Sequence, residues 1–228
     1  MSTNTNRSSK KLVWVTLAVI VLGAFAIFIL NPKNETSQDI QFDSHPVTEG
    51  QPTLGDANAP VSIVEFGDYK CPACKAWDES IFPQLTEDYI ETGEVNYSYI
   101  NTPFHGEESG LAALASESVW NQSPDDFWVF HKEIFRQQPP NQNHDDAWIT
   151  PEKLIDIANE VDADINLEQL ASDLMNQTYI DDVIADQEQV QAFNVSLTPS
   201  IVINGTMIED PFDYERMKEL IEEALETQ

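Results

Sequence analysis

Cysteine is nearly absent from this 228-residue chain: there are two, Cys71 and Cys74, three positions apart. A structural disulfide gains most by closing a long loop, and a bridge between these two would close almost nothing. A tetrahedral zinc site needs four ligands, and beyond the cysteines only His45, His105, His131 and His144 could help. None of those sits in a second C-x-x-C or an H-x3-H pairing. Basic residues are scarce too, 11 Lys and Arg against 40 Asp and Glu, for a formal charge of −29. Nucleic acid and anionic lipid both require a basic face, so neither is an expected partner. Internal repeats and low-complexity tracts are lacking apart from the acidity itself.

One long apolar run is present. Residues 12–30 are apolar or nearly so, interrupted only by Thr16 and Gly23, a length that crosses a bilayer as a helix. Arg7, Lys10 and Lys11 precede the run and predict a cytoplasmic N-terminus over residues 1–11. A cleaved signal peptide is the competing reading, because Ala24-Phe25-Ala26 resembles a small-x-small site. Either way the remainder lies outside the cytoplasm, where disulfides form and persist. The expectation is a single-pass protein of the cell membrane with its catalytic part extracytoplasmic. Three of the basic residues and none of the acidic ones precede Asn31, so the remainder carries a formal charge of −32. Such a field opposes a thiolate, but in concentrated salt only nearby groups matter.

Residues 31–52 are polar and aperiodic, and read as a tether. Residues 53–228 suffice for one domain with a real core. Val61 to Gly67 reads as a buried strand, 73–91 as a helix kinked at Pro83, and 95–100 as a second strand. Helical patterns follow over 109–121, 124–137, 151–161 and 167–193, the last broken near 176–178 with Thr178 as an N-cap. Residues 200–205 and 206–208 form a hairpin around Asn204-Gly205, and 214–227 a closing amphipathic helix. Trp120, Phe127, Trp128, Phe130 and Phe135 fall at helical spacings and read as core. The pairs Asp125-Asp126, Asp145-Asp146 and Asp181-Asp182 read as solvated charge.

A C-x-x-C at a strand-to-helix junction has a specific physical use. The first sulfur faces unpaired N–H groups and the positive end of the helix dipole, which favour thiolate. The second lies one turn on, within reach of a small disulfide ring. Redox chemistry through Cys71 and Cys74, spaced by Pro72 and Ala73, is the reading. Glu65 stands out in an otherwise apolar strand: buried near the pair, its carboxyl would hold its proton tightly and could relay it to Cys74. The alternative is that Glu65 points to water. Lys70 is either a local positive charge for Cys71 or a solvated side chain, and His105 reads as a capping or surface histidine.

Residues 60–74, Pro103-Phe-His-Gly106 and Thr198–Gly205, in a β-α-β, helical, β-β-α order, resemble the DsbA family of thiol:disulfide oxidoreductases, in its membrane-anchored, Gram-positive BdbD-like branch. The resemblance implies an α/β thioredoxin fold over 53–228 with an all-helical insertion at about 107–193. It implies a cis Thr198-Pro199 bond that presents backbone to a substrate peptide, and Glu65 as the family's buried acid. Histidine, frequent in the family between the cysteines, is replaced here by Pro72-Ala73. The implied activity is introduction of disulfides into exported, reduced proteins by a monomer. A quinone-linked, DsbB-like membrane thiol oxidase would be the reoxidant, with no cofactor beyond the Cys71–Cys74 disulfide. Calcium, associated with this branch, has Glu117 and Asp186 as candidate ligands. A tethered reductase or cytochrome-maturation protein, and a peptide-binding or chaperone module with an incidental C-x-x-C, are the alternative functions.

Overall fold

The computed structural model describes residues 39–140 and 146–227. Its centre is β3 (Val61–Gly67), a continuous apolar strand that pairs parallel with β4 (Val95–Asn101) and antiparallel with β5 (Ser200–Ile203). A strand covered on both faces reads as such a run rather than as an alternation. β5 turns into β6 (Thr206–Met207) through Asn204 and Gly205, both at positive φ, 44° and 89°. Two positive φ values are what a tight two-residue hairpin needs. With β1 (Ile40–Gln41) and β2 (Thr53–Leu54) at the edges, the order is β1-β6-β5-β3-β4-β2.

The period-2 alternation of side chains separates two cores. Val61, Ile63, Val95, Tyr97, Ile201 and Ile203 face one way, onto Trp77 of α1 (Pro72–Ser80), Phe82 and Leu85 of α2 (Phe82–Leu85), and Met217 and Ile221 of α8 (Tyr214–Glu226). Val64, Phe66, Ile100 and Val202 face the other way, onto Val190 of α7 (Ile180–Ala192) and Phe193. Between β4 and β5 run α3 (Glu107–Gln122), α4 (Phe127–Gln137), α5 (Pro151–Glu160), α6 (Leu167–Asn176) and α7. Their own core holds Phe127, Phe130 and Phe135, with Trp120 and Trp128 packed at its margin, and it includes Tyr69, Cys71 and Cys74. The insertion therefore packs directly on the cysteine pair.

Three expectations need correction. The tether does not extend to residue 52: β1 pairs with β6, Pro46 is buried, and Val47 N–H donates to Gln189 at 2.6 Å. Two-residue edge strands lie below what periodicity can detect. The helix read over 73–91 is three pieces, α1, α2 and a π turn over Thr86–Ile90, broken at Ile81 two residues before Pro83. Thr178 caps nothing: α6 ends on Gln177 in the left-handed region (φ 50°), and α7 begins after Tyr179 without a side-chain cap. The proposed membrane segment at 12–30, residues 31–38, His144 and Asp145 lie outside the described residues. Among those described, no helix is long and apolar enough to cross a membrane.

Candidate redox site

Cys71 is the N-cap of α1, in extended conformation (φ −76°, ψ 120°), with Pro72 at the first helical position. Proline fits there because its missing N–H would be unpaired anyway. The cap position sets the Cys71 sulfur beside the free N–H groups of the first turn. Both cysteines are free thiols; Cys71 keeps 7% of its surface and Cys74 none. The hydrogen bond from the Cys74 thiol, together with the Ala73 and Cys74 N–H groups, holds the Cys71 thiol down at about 6 against the opposing effect of burial. Burial pushes the Cys74 thiol well above its ordinary value, and the Cys71 sulfur beside it adds to that push. Asp68 N–H reaches Cys74 Sγ at 3.4 Å. One sulfur is acidic and reachable, the other buried and proton-holding.

The Thr198-Pro199 bond is cis, and the Cys71 thiol donates to the Thr198 carbonyl at 3.3 Å. The two segments, 127 residues apart in sequence, thus meet at the sulfur. A groove of about 300 Å³ beside Pro199 is lined by Leu197, Ile40, Met207, Ile208 and Pro211. Leu197 and Phe212 expose large apolar surface at this end of the domain.

Glu65 sits on β3 opposite Tyr99 of β4 and Ile201 of β5, 1% exposed. It does not reach water. Burial lifts its carboxyl to about 8, opposed by a short hydrogen bond from the Tyr97 hydroxyl to Oε2 and reinforced by Asp78 and Cys71. A carboxyl that binds its proton more tightly when folded lowers stability as pH rises from 4.5 through about 8. Glu65→Gln is therefore expected to raise stability by roughly 3 kcal/mol at pH 7 and by almost nothing at pH 4. Urea unfolding at the two pH values checks it, and an equal change at both would refute the raised affinity.

Lys70 and His105 are both engaged. Lys70 is buried with its ammonium 3.3 Å from Glu108, whose other oxygen accepts from Trp148 and Ile149 N–H. Its charge is therefore shared with Glu108. His105 Nδ1 lies 2.7 Å from Asp68 Oδ2, which also accepts from Phe104 and His105 N–H, while Oδ1 accepts from Lys70 N–H. Asp68 thereby fixes the loop before Cys71, a position whose only sequence signal is an Asx turn toward Lys70. Buried Gln138, after α4, donates to the Tyr69 carbonyl at 2.8 Å and to that of Cys71 at 3.1 Å. Lys75 Nζ donates to Phe135 and Arg136 carbonyls. Nothing in the sequence marks Gln138, because its partners lie nearly 70 residues away.

Glu117 and Asp186 come together, buried on α3 and α7, their proton affinities raised by burial to about 8 and about 7. Glu117 Oε1 accepts from Asn101 Nδ2, and Asp186 accepts from Asn101 N–H and Gln51 Nε2, all within 3.0 Å. Calcium takes six to eight oxygens; the two carboxyls and the side-chain amides of Asn101 and Gln51 gather several here, while three N–H groups donate to the carboxyls. Among the described residues no group of three or more His, Cys, Asp or Glu is placed to hold a metal ion. The two acids are hydrogen-bonded and fasten residue 51 to the sheet, and their oxygens, with the buried and unpartnered Oε1 of Gln51, are the ones that would hold a calcium ion.

A thioredoxin family profile matches residues 47–223. The chain is 42% identical over 195 residues to disulfide bond formation protein D of Bacillus subtilis, covering 86% of each. It is 36% identical to a probable disulfide bond formation protein D of Bacillus cereus, covering 94% of each. The crystal structure of oxidised BdbD from Bacillus subtilis superposes with a TM-score of 0.77 over 82% of this chain and 98% of that one, at 42% identity. DsbA of Chlamydia trachomatis, at 22% identity, shares the fold with a TM-score of 0.68, over 86% of this chain and 98% of that one. With a buried C-x-x-C at a helix cap, a cis proline against its first sulfur and a profile match across most of its length, the chain belongs to the thioredoxin family.

Proposed function

We propose that this protein is a thiol:disulfide oxidoreductase that introduces disulfide bonds into exported proteins through Cys71 and Cys74. The observation that carries this is the asymmetry of the pair: an acidic Cys71 at the cap of α1 against the Thr198 carbonyl, over a buried Cys74. Its relatives' names, disulfide bond formation protein D, support the direction of the chemistry. In the oxidised form a substrate thiolate attacks Cys71 Sγ. The Cys71–Cys74 bond breaks, its electron pair leaves on Cys74 Sγ, and the Glu65 carboxyl gives that sulfur its proton. Glu65 is protonated at neutral pH, so it serves as the acid in this step and regains its proton from solvent. A second substrate thiolate then attacks the substrate sulfur of the mixed disulfide. The substrate disulfide forms and Cys71 leaves as a thiolate, a good leaving group because it is acidic.

The substrate peptide is held along the groove beside cis Pro199, in contact with the Thr198 backbone, which gives affinity with little sequence preference. Catalysis uses no metal and no cofactor beyond the disulfide. Residues 1–11 lie in the cytoplasm, 12–30 anchor the chain in the membrane, and a tether leads to the extracytoplasmic domain. A quinone-linked membrane thiol oxidase takes the two electrons from the reduced pair. The protein acts as a monomer.

The equilibrium potential against glutathione tests the proposal. A value above about −200 mV is expected, and one near about −270 mV would instead indicate a reductase. Its pH dependence follows from Cys71. The lowered proton affinity stabilises the reduced, folded form above pH 6, increasingly up to pH 9, and that stabilisation is lost as pH falls through about 6. Two protons accompany two electrons below that point and one above it. The potential should therefore fall by about 59 mV per pH unit below pH 6 and by about 30 mV above it. A single slope through pH 5–8 would remove the acidic thiol from the argument.

A further inference from the structure

The titratable groups around Glu65 include the cysteine pair, three aromatic hydroxyls and Asp78, with His131 of α4 behind them against Tyr69, Tyr99 and Asp78. Tyr97 and Tyr99 approach from β4, Cys71, Cys74 and Asp78 from α1 and its cap, and Tyr69 from the loop after β3, while β5 presents Ile201. Among the described residues, Tyr97 alone of these hydrogen-bonds the carboxyl, donating to Oε2. The other oxygen, Oε1, has no hydrogen-bond partner among the described residues, and neither has the Tyr99 hydroxyl. Both lie 2.8 Å from the point a Cβ on Gly67 would occupy, so the missing side chain at Gly67 is what leaves room for them.

Tyr97 cannot turn away from Glu65. Its ring stacks on Trp77 at 5.9 Å and 12°, and is tilted against Phe82 at 4.8 Å and Trp128 at 5.5 Å. It is fully buried, and a phenol hydroxyl buried among rings needs a polar partner. Glu65 is that partner. We infer that Tyr97 is a positioning residue of the thiol–disulfide reaction: it holds the Glu65 carboxyl by one oxygen and thereby sets how readily that acid releases its proton to Cys74. The inference rests on the acid role proposed for Glu65. A donor on Oε2 favours the carboxylate, so Tyr97 acts against burial and makes the proton easier to give up. An isolated carboxyl in the same place would remain protonated to higher pH and would return the proton less willingly.

The test uses the oxidised full chain and a reduced peptide with an acidic thiol. The rate of reduction, followed by tryptophan fluorescence and corrected for thiolate fraction, is measured from pH 6 to 10. In the unaltered protein the rate should decline with a midpoint near pH 8, as Glu65 loses the proton it must donate. Tyr97→Phe keeps the ring stack and removes the donor. The midpoint should then move upward by about one to two pH units. A purely structural role would lower the melting temperature or the rate at every pH and leave the midpoint in place; that outcome overturns the inference. Glu65→Gln separates the two readings. If it abolishes the decline while Tyr97→Phe leaves the midpoint unmoved, only the role of Tyr97 fails; if the decline survives in Glu65→Gln, the acid role fails. Should Tyr97→Phe not fold, fluorotyrosine at position 97, a stronger donor, is expected to move the midpoint downward, and an unchanged midpoint counts against the inference equally.

Discussion

Cys71→Ala is expected to bring thiol oxidation down to the uncatalysed background, a loss on the order of 10³-fold or more. The size of the loss follows from the asymmetry of the pair. Cys74 is wholly buried and its thiol holds its proton well above the ordinary range, so it cannot replace the missing sulfur. Recovery of activity by a reduced, unfolded substrate protein measures the effect. Retention of more than about a tenth of the rate would show that Cys71 is not the attacked sulfur. Cys74→Ala behaves differently. It keeps the reachable thiol at the cap of α1 but cannot close the ring, so on exchange with a disulfide-bonded substrate protein, which releases one substrate thiol, the mixed disulfide at Cys71 should accumulate and appear on non-reducing gels.

Trp77→Ala is expected to cost about 3–5 kcal/mol of folding stability. Trp77 is fully buried on α1, stacks on Phe82 at 6.1 Å and on Tyr97, and donates from Nε1 to the Pro211 carbonyl at 2.8 Å. Its removal opens a cavity under the active-site helix and leaves that carbonyl without its partner. It also frees the Tyr97 ring. Urea unfolding gives the stability change, and a value below about 1 kcal/mol would mean that α8 or the 209–213 loop closes over the gap.

Much of this was legible in the residues. The strands at 61–67 and 95–101 carry β-branched and aromatic runs, and the Asn204-Gly205 turn announces its hairpin. Helix patterns over the insertion fell within two or three residues of their observed ends. The cysteine pair declared itself by spacing and Glu65 by being the one charge in its strand, whereas the cis Thr198-Pro199 bond was implied only by the family resemblance. Other features had no local signal. β1 and β2 are two residues each, and their pairing comes from the sheet edge they meet. Asp68, Tyr97 and Gln138 act across folds of chain that bring residues together from 32 to nearly 70 positions apart. Tyr97 in particular reads as one aromatic in an alternating strand, and only the register of β3 against β4 places its hydroxyl at a carboxyl. Glu117 and Asp186, singled out as two acids far apart in sequence, do meet in space beside Asn101.

The contact between the Cys71 sulfur and the Thr198 carbonyl also has a meaning in time. A ribosome adds roughly 5–20 residues each second. The 127 positions separating the two therefore correspond to a delay on the order of 6–25 s. During that interval Cys71 has been made but its neighbour has not. The insertion that packs on the pair, and Gln138 which grips its backbone, also arrive late. A newborn chain thus carries two ordinary thiols, and the asymmetry of the pair arises only when nearly all of it has been synthesised and folded.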